Sequence, residues 1–406
     1  MTRLDLDSAA TELSVLELDV GAFVHGGHCV ARHDDGQVVF VRHALPGERV
    51  RAVVTEVRKG FLRADAVEVL TASPHRVQPP CRFAGPDACG GCDLQHATPA
   101  YQRELKAAVV REQLQRLAGV SIDVTVQPLS IQDGLGWRTR VQYTVDGAGR
   151  AGLHKHRSHE VVPVDECLIA HPGVRSAPVL DREWPDLDTV EVVAAASGEV
   201  TVLGRRGRGA PVLVDGPANA HERAVRRDWS VPAEAFWQVH PDAADTLAAA
   251  VVELLGPRRS ERVWDLYGGV GLFAAAIAPH VDSTGRITVV EGDPTAARAA
   301  RRQLRDLTTV TVLHEDVARA LRNPRWRSVD LVVLDPPRAG AGADVVVAVT
   351  ARQPRAVAYV ACDPAALARD VRTFRQFGYE LTELRGYDAF PQTHHVECVG
   401  LLTPTR

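Results

Sequence analysis

The sequence predicts a chain of three parts in series: a small closed β-barrel, a β-rich middle and a doubly wound, mostly parallel α/β sheet. Three observations carry that prediction. Residues 12–70 hold five short Val-rich runs separated by turn signals. Three of the seven cysteines then crowd into twelve residues, CRFAGPDACGGC, from 81 to 92. From about residue 236 the pattern alternates between strand-like and helix-like segments, as a parallel sheet with crossover helices requires.

At 406 residues the chain exceeds what one core needs, and roughly two to four domains are expected. No window approaches the run of about 18 apolar residues that a membrane helix requires, so a membrane-spanning reading is excluded. The opening MTRLDLDSAATELS is polar and acidic, which predicts no secretory signal and a cytoplasmic protein. Residues 1–11 read as an acidic tail. In a reducing compartment a local cysteine cluster points to a metal or cluster site ahead of a disulfide framework. The net charge of −4 argues against wholesale coating of a polyanion, but arginines gather within 42–63, 205–227 and 298–305, where each group could track phosphates or be a solvated face.

The runs ELSVLELDV, HCVAR, GQVVFV, ERVRAVVTEV and LRADAVEVL, broken by Gly and Asp turns, predict a barrel of the OB type over 12–72. Such barrels commonly bind single-stranded nucleic acid. The stretch 73–235 holds the cysteine loop, a helix from about Tyr101 to Ala118 with Leu105, Val109, Leu114 and Leu117 on one face, and β-rich runs including RVQYTVD, EVVPVDECLI, TVEVVAAA, EVTVLG and APVLVD. Over 236–406, the strands RVWDLY, RITVVEGD, VTVLHED, DLVVLDPP and AVAYVACD predict the parallel sheet. The final runs ELTELRGYDAF and HVECVGLLT predict an antiparallel pair at one edge.

Several residues in the last part point to chemistry. In VWDLYGGVG a strand enters a glycine turn, and Gly269 lets a ligand pass close to the backbone. Glu291, ending the next strand, is placed to bind ribose hydroxyls. Asp265 lies just before the glycines, where it would repel a pyrophosphate but suits the ammonium of a methionine moiety. S-adenosylmethionine therefore fits better than a dinucleotide. Asp316 could read an adenine amino group or simply cap the following helix. Asp335 begins the rigid DPPR turn.

Cys362 ends a strand just before a helix N-terminus, a place that favours a thiolate. Glu397 is an acid inside an apolar run and needs a partner or a task. A thiolate and a carboxylate together suit methylation at uracil C5: attack at C6 makes C5 nucleophilic, and a base must then remove the C5 proton before the cysteine can leave.

With these residues in place the chain resembles the S-adenosylmethionine-dependent RNA uracil-5 methyltransferases, especially the bacterial 23S ribosomal RNA branch. The motifs FWQVH, DLYGGVG, VVEGD, LDPPR, ACDPAALARD and FPQTHHVE occur in family order. The resemblance implies a Rossmann-like class I methyltransferase fold over 236–406 and a TRAM domain at the OB-like barrel. By it Cys362 is the nucleophile and Glu397 the base, while Gln238, Tyr267, Glu291 and Asp335 match donor-binding positions, Asp316 more loosely. It also implies a [4Fe-4S] cluster on Cys81, Cys89, Cys92 and Cys167, with zinc on the same residues as the alternative. The partner implied is RNA, 23S ribosomal ahead of transfer RNA, with no obligate protein partner.

The chain departs from the family pattern at Asp363, Leu272 and His240, each where Asn is common, and the first cysteine gap is longer. A carboxylate at Asp363 would disfavour the neighbouring thiolate unless something neutralises it. Two competing readings follow: an RNA-binding metalloprotein with a degenerate methyltransferase domain, and an amino-group methylase built on Asp-Pro-Pro. The second leaves Cys362 and Glu397 without a task. Cys29 and Cys398 receive no role.

Overall fold

The five Val-rich runs form strands β1 (Val15–Val24), β2 (His28–Arg32), β3 (Val38–Arg42), β4 (Arg49–Arg58) and β5 (Phe61–Thr71) in a computed structural model. It describes residues 14–405 apart from 132, 324, 325 and 327, so the acidic tail 1–11 lies outside the described residues. The strands close as β1-β2-β3-β5-β4, with β4 pairing back to β1. Period-two alternation explains the closure, since Val39, Val41, Val50 and Ala52 point inward and are fully buried.

Helix α1 (Pro99–Gln113) begins on proline at its first turn, where no N–H is needed, and a π-turn at Leu114–Ala118 continues it. The helix is the predicted one. Next come β6 (Val126–Pro128), β7 (Arg140–Val145), β8 (Ala151–His154), β9 (Val161–Pro163), α2 (Pro172–Arg175), β10 (Thr189–Ala194), β11 (Val200–Arg205) and β12 (Val212–Asp215). Strands β7 to β12 make a six-stranded sheet in the order β12-β11-β10-β7-β8-β9. The run EVVPVDECLI is predicted as one strand, but pairing stops at Pro163, which has no N–H to donate, and Cys167 lies in a turn closed by Ala170 N–H to Cys167 C=O. Strands β13 (Asn219–Ala224) and β14 (Arg227–Pro232) pair with each other.

The last part holds α3 (Ala243–Leu255), β15 (Arg262–Leu266), α4 (Leu272–Val281), β16 (Arg286–Glu291), α5 (Pro294–Gln303), β17 (Val310–His314), α6 (Val317–Leu321), β18 (Leu331–Leu334), α7 (Ala343–Thr350), β19 (Ala356–Ala361), α8 (Pro364–Gln376), β20 (Tyr379–Asp388) and β21 (Glu397–Pro404). The sheet order is β17-β16-β15-β18-β19-β21-β20-β6. The strands from β17 to β19 in that order are parallel, β21 runs antiparallel between β19 and β20, and β6 adds parallel to β20. Part of the stretch 73–235 is thus built into the C-terminal sheet.

Both faces are covered, which explains the nearly continuous apolar strands. Along β18 and β19 alternate residues enter two cores. Leu331, Val333, Ala356 and Ala358 pack with α3, α4 and α5. Val332, Leu334, Val357 and Tyr359 pack with α1, α6, α7 and α8. The carboxyl ends of β15, β16, β18 and β19 consequently open on one edge.

Candidate active site

The glycine turn after β15 is shaped by what surrounds it. Tyr267 and Gly269 adopt left-handed φ of 63° and 55°, and a side chain at Gly269 would meet only open space. At Gly271, φ 95°, a Cβ would lie 2.4 Å from Leu304 Cδ1, so the turn tolerates glycine alone there. Leu272 packs into the core with α3 and α4.

Asp265 is fully buried beneath this turn. Its Oδ2 accepts from Ala274 N–H at 3.0 Å, while Oδ1 has no partner among the described residues. Burial, with Asp335 and Glu291 nearby, pushes its carboxyl up to about 7. An unpartnered buried acid of this kind is costly and fits an incoming ammonium. Glu291 accepts from Gly269 N–H at 2.8 Å and Asp293 N–H at 2.6 Å, which fixes it against the turn. Burial and Glu291 push Asp335 up to about 7 as well.

Asp316 caps α6 through Arg319 N–H at 2.9 Å, the simpler of its two expected roles. It remains close to Tyr267, whose phenol is pushed up to about 12 by burial and then by Asp316 and Asp370. Gln238 is 9 % exposed ahead of α3. His240 is buried against Trp137, and its Nδ1 accepts from Asp242 N–H at 3.2 Å.

Strand register brings the thiol and the second acid together. Ala361 pairs with Cys398 across β19 and β21, so Cys362 and Glu397 each lie one residue from that pair on the same edge. Glu397 is buried, and its carboxyl is pushed well above the usual range by burial and Asp335, with Arg338 opposing. Cys362 is half-buried, and burial, Glu397, Asp335 and Asp363 push its thiol up to about 12 against the pull of Arg338. Both shifts disfavour the charged forms of the two groups in the free protein.

The loop between β20 and β21 is clamped by residues the sequence pattern does not single out. Lys106 donates to Asp388 Oδ1 at 2.6 Å and to the Phe390 carbonyl at 3.0 Å. Gln102 donates to Gln392 Oε1 at 2.8 Å and accepts Gln392 N–H at 2.9 Å. Asp93 Oδ2 accepts from His394 Nδ1 at 2.6 Å. From the barrel, His25 Nε2 reaches Asp363 Oδ2 at 3.0 Å. The available signal was polar residues at core positions of α1, Gln102 and Lys106, on a face otherwise carrying Val109 and Val110.

The cysteine loop packs on the six-stranded sheet. Gly90 N–H bonds the His154 carbonyl at 2.9 Å, and a Cβ there would lie 2.4 Å from His156 N. Burial pushes the Cys89, Cys92 and Cys167 thiols up. Cys81 and Cys167 lie near enough to Cys89 to raise it further, and Cys167 and Cys89 do the same to Cys92. Among the described residues no three His, Cys, Asp or Glu side chains are drawn together tightly enough to hold a metal ion. Cys29 is a core residue of the barrel whose thiol meets the Ala44 carbonyl, and Cys398 is buried within β21.

Much of the first basic group is paired: Arg49 and Arg51 with Glu17, Arg51 with Glu68, and Arg63 with Glu56. Arg63 also lies over Phe40 and Phe61 on the barrel surface, 5.7 and 5.3 Å from the ring centres. Among the described residues no helix is long and apolar enough to cross a membrane.

Comparison with known proteins agrees with this arrangement. A family model described as TRAM domain matches residues 10–67, and one described as tRNA (Uracil-5-)-methyltransferase matches 228–405. A Streptomyces avermitilis chain described as an uncharacterized RNA methyltransferase is 47% identical, covering 96% of this chain and 98% of its own. The 23S rRNA (uracil(1939)-C(5))-methyltransferase RlmD of Chromohalobacter salexigens is 34% identical, covering 99% and 91%. The crystal structure of Pyrococcus abyssi tRNA (uracil-54, C5)-methyltransferase with S-adenosyl-L-homocysteine has the same fold, with a TM-score of 0.70 at 22% identity over 95% and 99%. The barrel, the class I methyltransferase sheet and these relatives agree on one assignment: the chain belongs to the RNA uracil-5 methyltransferase family.

Proposed function

We propose that this protein forms 5-methyluridine in 23S ribosomal RNA, with Cys362 as the nucleophile and Glu397 as the base. The register that sets Cys362 and Glu397 together on the open sheet edge carries this reading. Cys362 attacks C6 of the uracil, and Glu397 takes the proton from the methylated C5 so that the thiolate is eliminated. The uridine must leave its stack to reach this edge. S-adenosylmethionine supplies the methyl group.

The donor is held with its ammonium at Asp265, its ribose at Glu291 and its adenine near Asp316, with Gln238, Tyr267 and Asp335 lining the site and Gly269 allowing close approach. The unpartnered Oδ1 of Asp265 supports this placement. Burial and the nearby acids raise the Cys362 thiol, so its proton must leave as substrate binds, with Arg338 favouring the resulting anion, and Glu397 must be ionised when it takes the C5 proton.

Cys81, Cys89, Cys92 and Cys167 hold a [4Fe-4S] cluster in this proposal. These are the four cysteines the family resemblance assigns to the cluster, and the thiols of Cys81, Cys89 and Cys167 act electrostatically on others of the set. The RlmD relative favours 23S ribosomal RNA over transfer RNA, and the RNA substrate implies a cytoplasmic site of action.

The test pairs Cys362→Ala with the wild type. Transfer to RNA is expected to vanish while calorimetry still registers S-adenosylmethionine binding. Methylation at the wild-type rate would refute the assignment. Mapping 5-methyluridine in ribosomal and transfer RNA from cells with and without the protein decides the substrate.

A further inference from the structure

We infer that His25, just beyond barrel strand β1, is a positioning residue that tunes the Cys362 thiol through Asp363. Asp363 directly follows Cys362, and its charge opposes thiolate formation. Both its oxygens are occupied. Oδ1 caps α8 by accepting Ala366 N–H at 2.7 Å, and Oδ2 is 3.0 Å from His25 Nε2. A carboxylate can only accept, so His25 carries its proton on Nε2. Burial works against ionisation of Asp363, yet the His25 bond and the Ala366 amide outweigh it and hold the carboxyl below its usual range. The acid is therefore charged, and its charge is drawn toward the barrel and the helix end.

His25, Asp363 and Cys362 line one small cavity between barrel and sheet, together with Phe23, His394 and His395. The groups acting on Cys362 are Glu397 from β21, Asp335 and Arg338 from the turn after β18, and Asp363 at the head of α8. Those acting on Asp363 are His25, the Ala366 amide and Arg369. Within this set His25 is the barrel's contribution. Whether the barrel is seated would thus be felt at the thiol, so that the RNA-binding part and the reacting part are electrically joined. This rests on the reading of Cys362 as the reacting thiol.

The test is the rate of Cys362 alkylation by iodoacetamide at fixed pH, resolved by peptide mass spectrometry in the full-length protein. It needs no methyl transfer, so it is separate from the fate of the catalytic reading. Four proteins form a cycle: wild type, His25→Ala, Asp363→Asn and the double variant. The Asp363→Asn change keeps the helix cap while removing the charge. His25→Ala is expected to slow alkylation about threefold to tenfold with Asp363 present, relative to its effect in the Asp363→Asn background, where only altered access remains. His25→Gln, which keeps a donor, is expected to recover most of the rate. Equal effects of His25→Ala in both backgrounds, or no recovery with His25→Gln, would overturn the inference.

Discussion

Lys106 Nζ lies 2.6 Å from Asp388 Oδ1 with both side chains buried, joining α1 to the end of β20, nine residues before Glu397. Removing one partner leaves an uncompensated buried charge. Lys106→Ala is expected to lower unfolding free energy by about 3–5 kcal/mol, read by urea denaturation. Lys106→Met with Asp388→Leu is expected to recover much of that loss, because neither charge is then stranded.

The Asp93 to His394 bond gives a pH signature. Burial opposes ionisation of Asp93, but the His394 contact outweighs it and lowers the carboxyl to about 2. A lowered acid contributes stability above its unfolded value, and that contribution, about 2 kcal/mol, fades as pH falls from about 4 to 2. The stability gap between wild type and Asp93→Asn is expected to be widest near neutral pH and to close toward pH 2. A gap that stays constant through that interval contradicts the bond.

Gly271→Ala is expected to cost stability and donor binding together. The new Cβ meets Leu304 Cδ1 at 2.4 Å, and φ of 95° strains any side chain, so a loss of about 1–3 kcal/mol is expected by thermal denaturation. Gly269→Ala meets no neighbour within 4 Å, so its effect is expected to fall on S-adenosylmethionine affinity more than on folding.

The cysteine set is checked by metal content. Protein purified without oxygen is expected to be brown and to carry about four irons per chain, with Cys167→Ser losing both. A colourless protein holding one zinc would contradict the cluster.

The parallel sheet and the barrel were legible because each strand follows its period. Val39 and Val41 alternate with less buried neighbours, while β18 and β19, covered on both faces, are continuously apolar. Cys362 stood out as a thiol at a strand end and Glu397 as an acid inside an apolar run. What joins them to the rest did not, because His25 to Asp363 spans 338 positions and Asp93 to His394 spans 301. No local pattern records such pairings. Strands β8, β13 and β14 were missed because Gly, His, Asp or Arg interrupts the β-branched pattern there, and they are held by partner strands rather than by propensity.

The most direct test of the two-residue chemistry is intact mass spectrometry of Glu397→Gln after reaction with RNA and S-adenosylmethionine under denaturing conditions. With no base to remove the C5 proton, Cys362 is expected to stay bonded to a methylated uridine, giving a species with the mass of protein plus RNA. Only free protein together with normal release of 5-methyluridine would contradict the assignment.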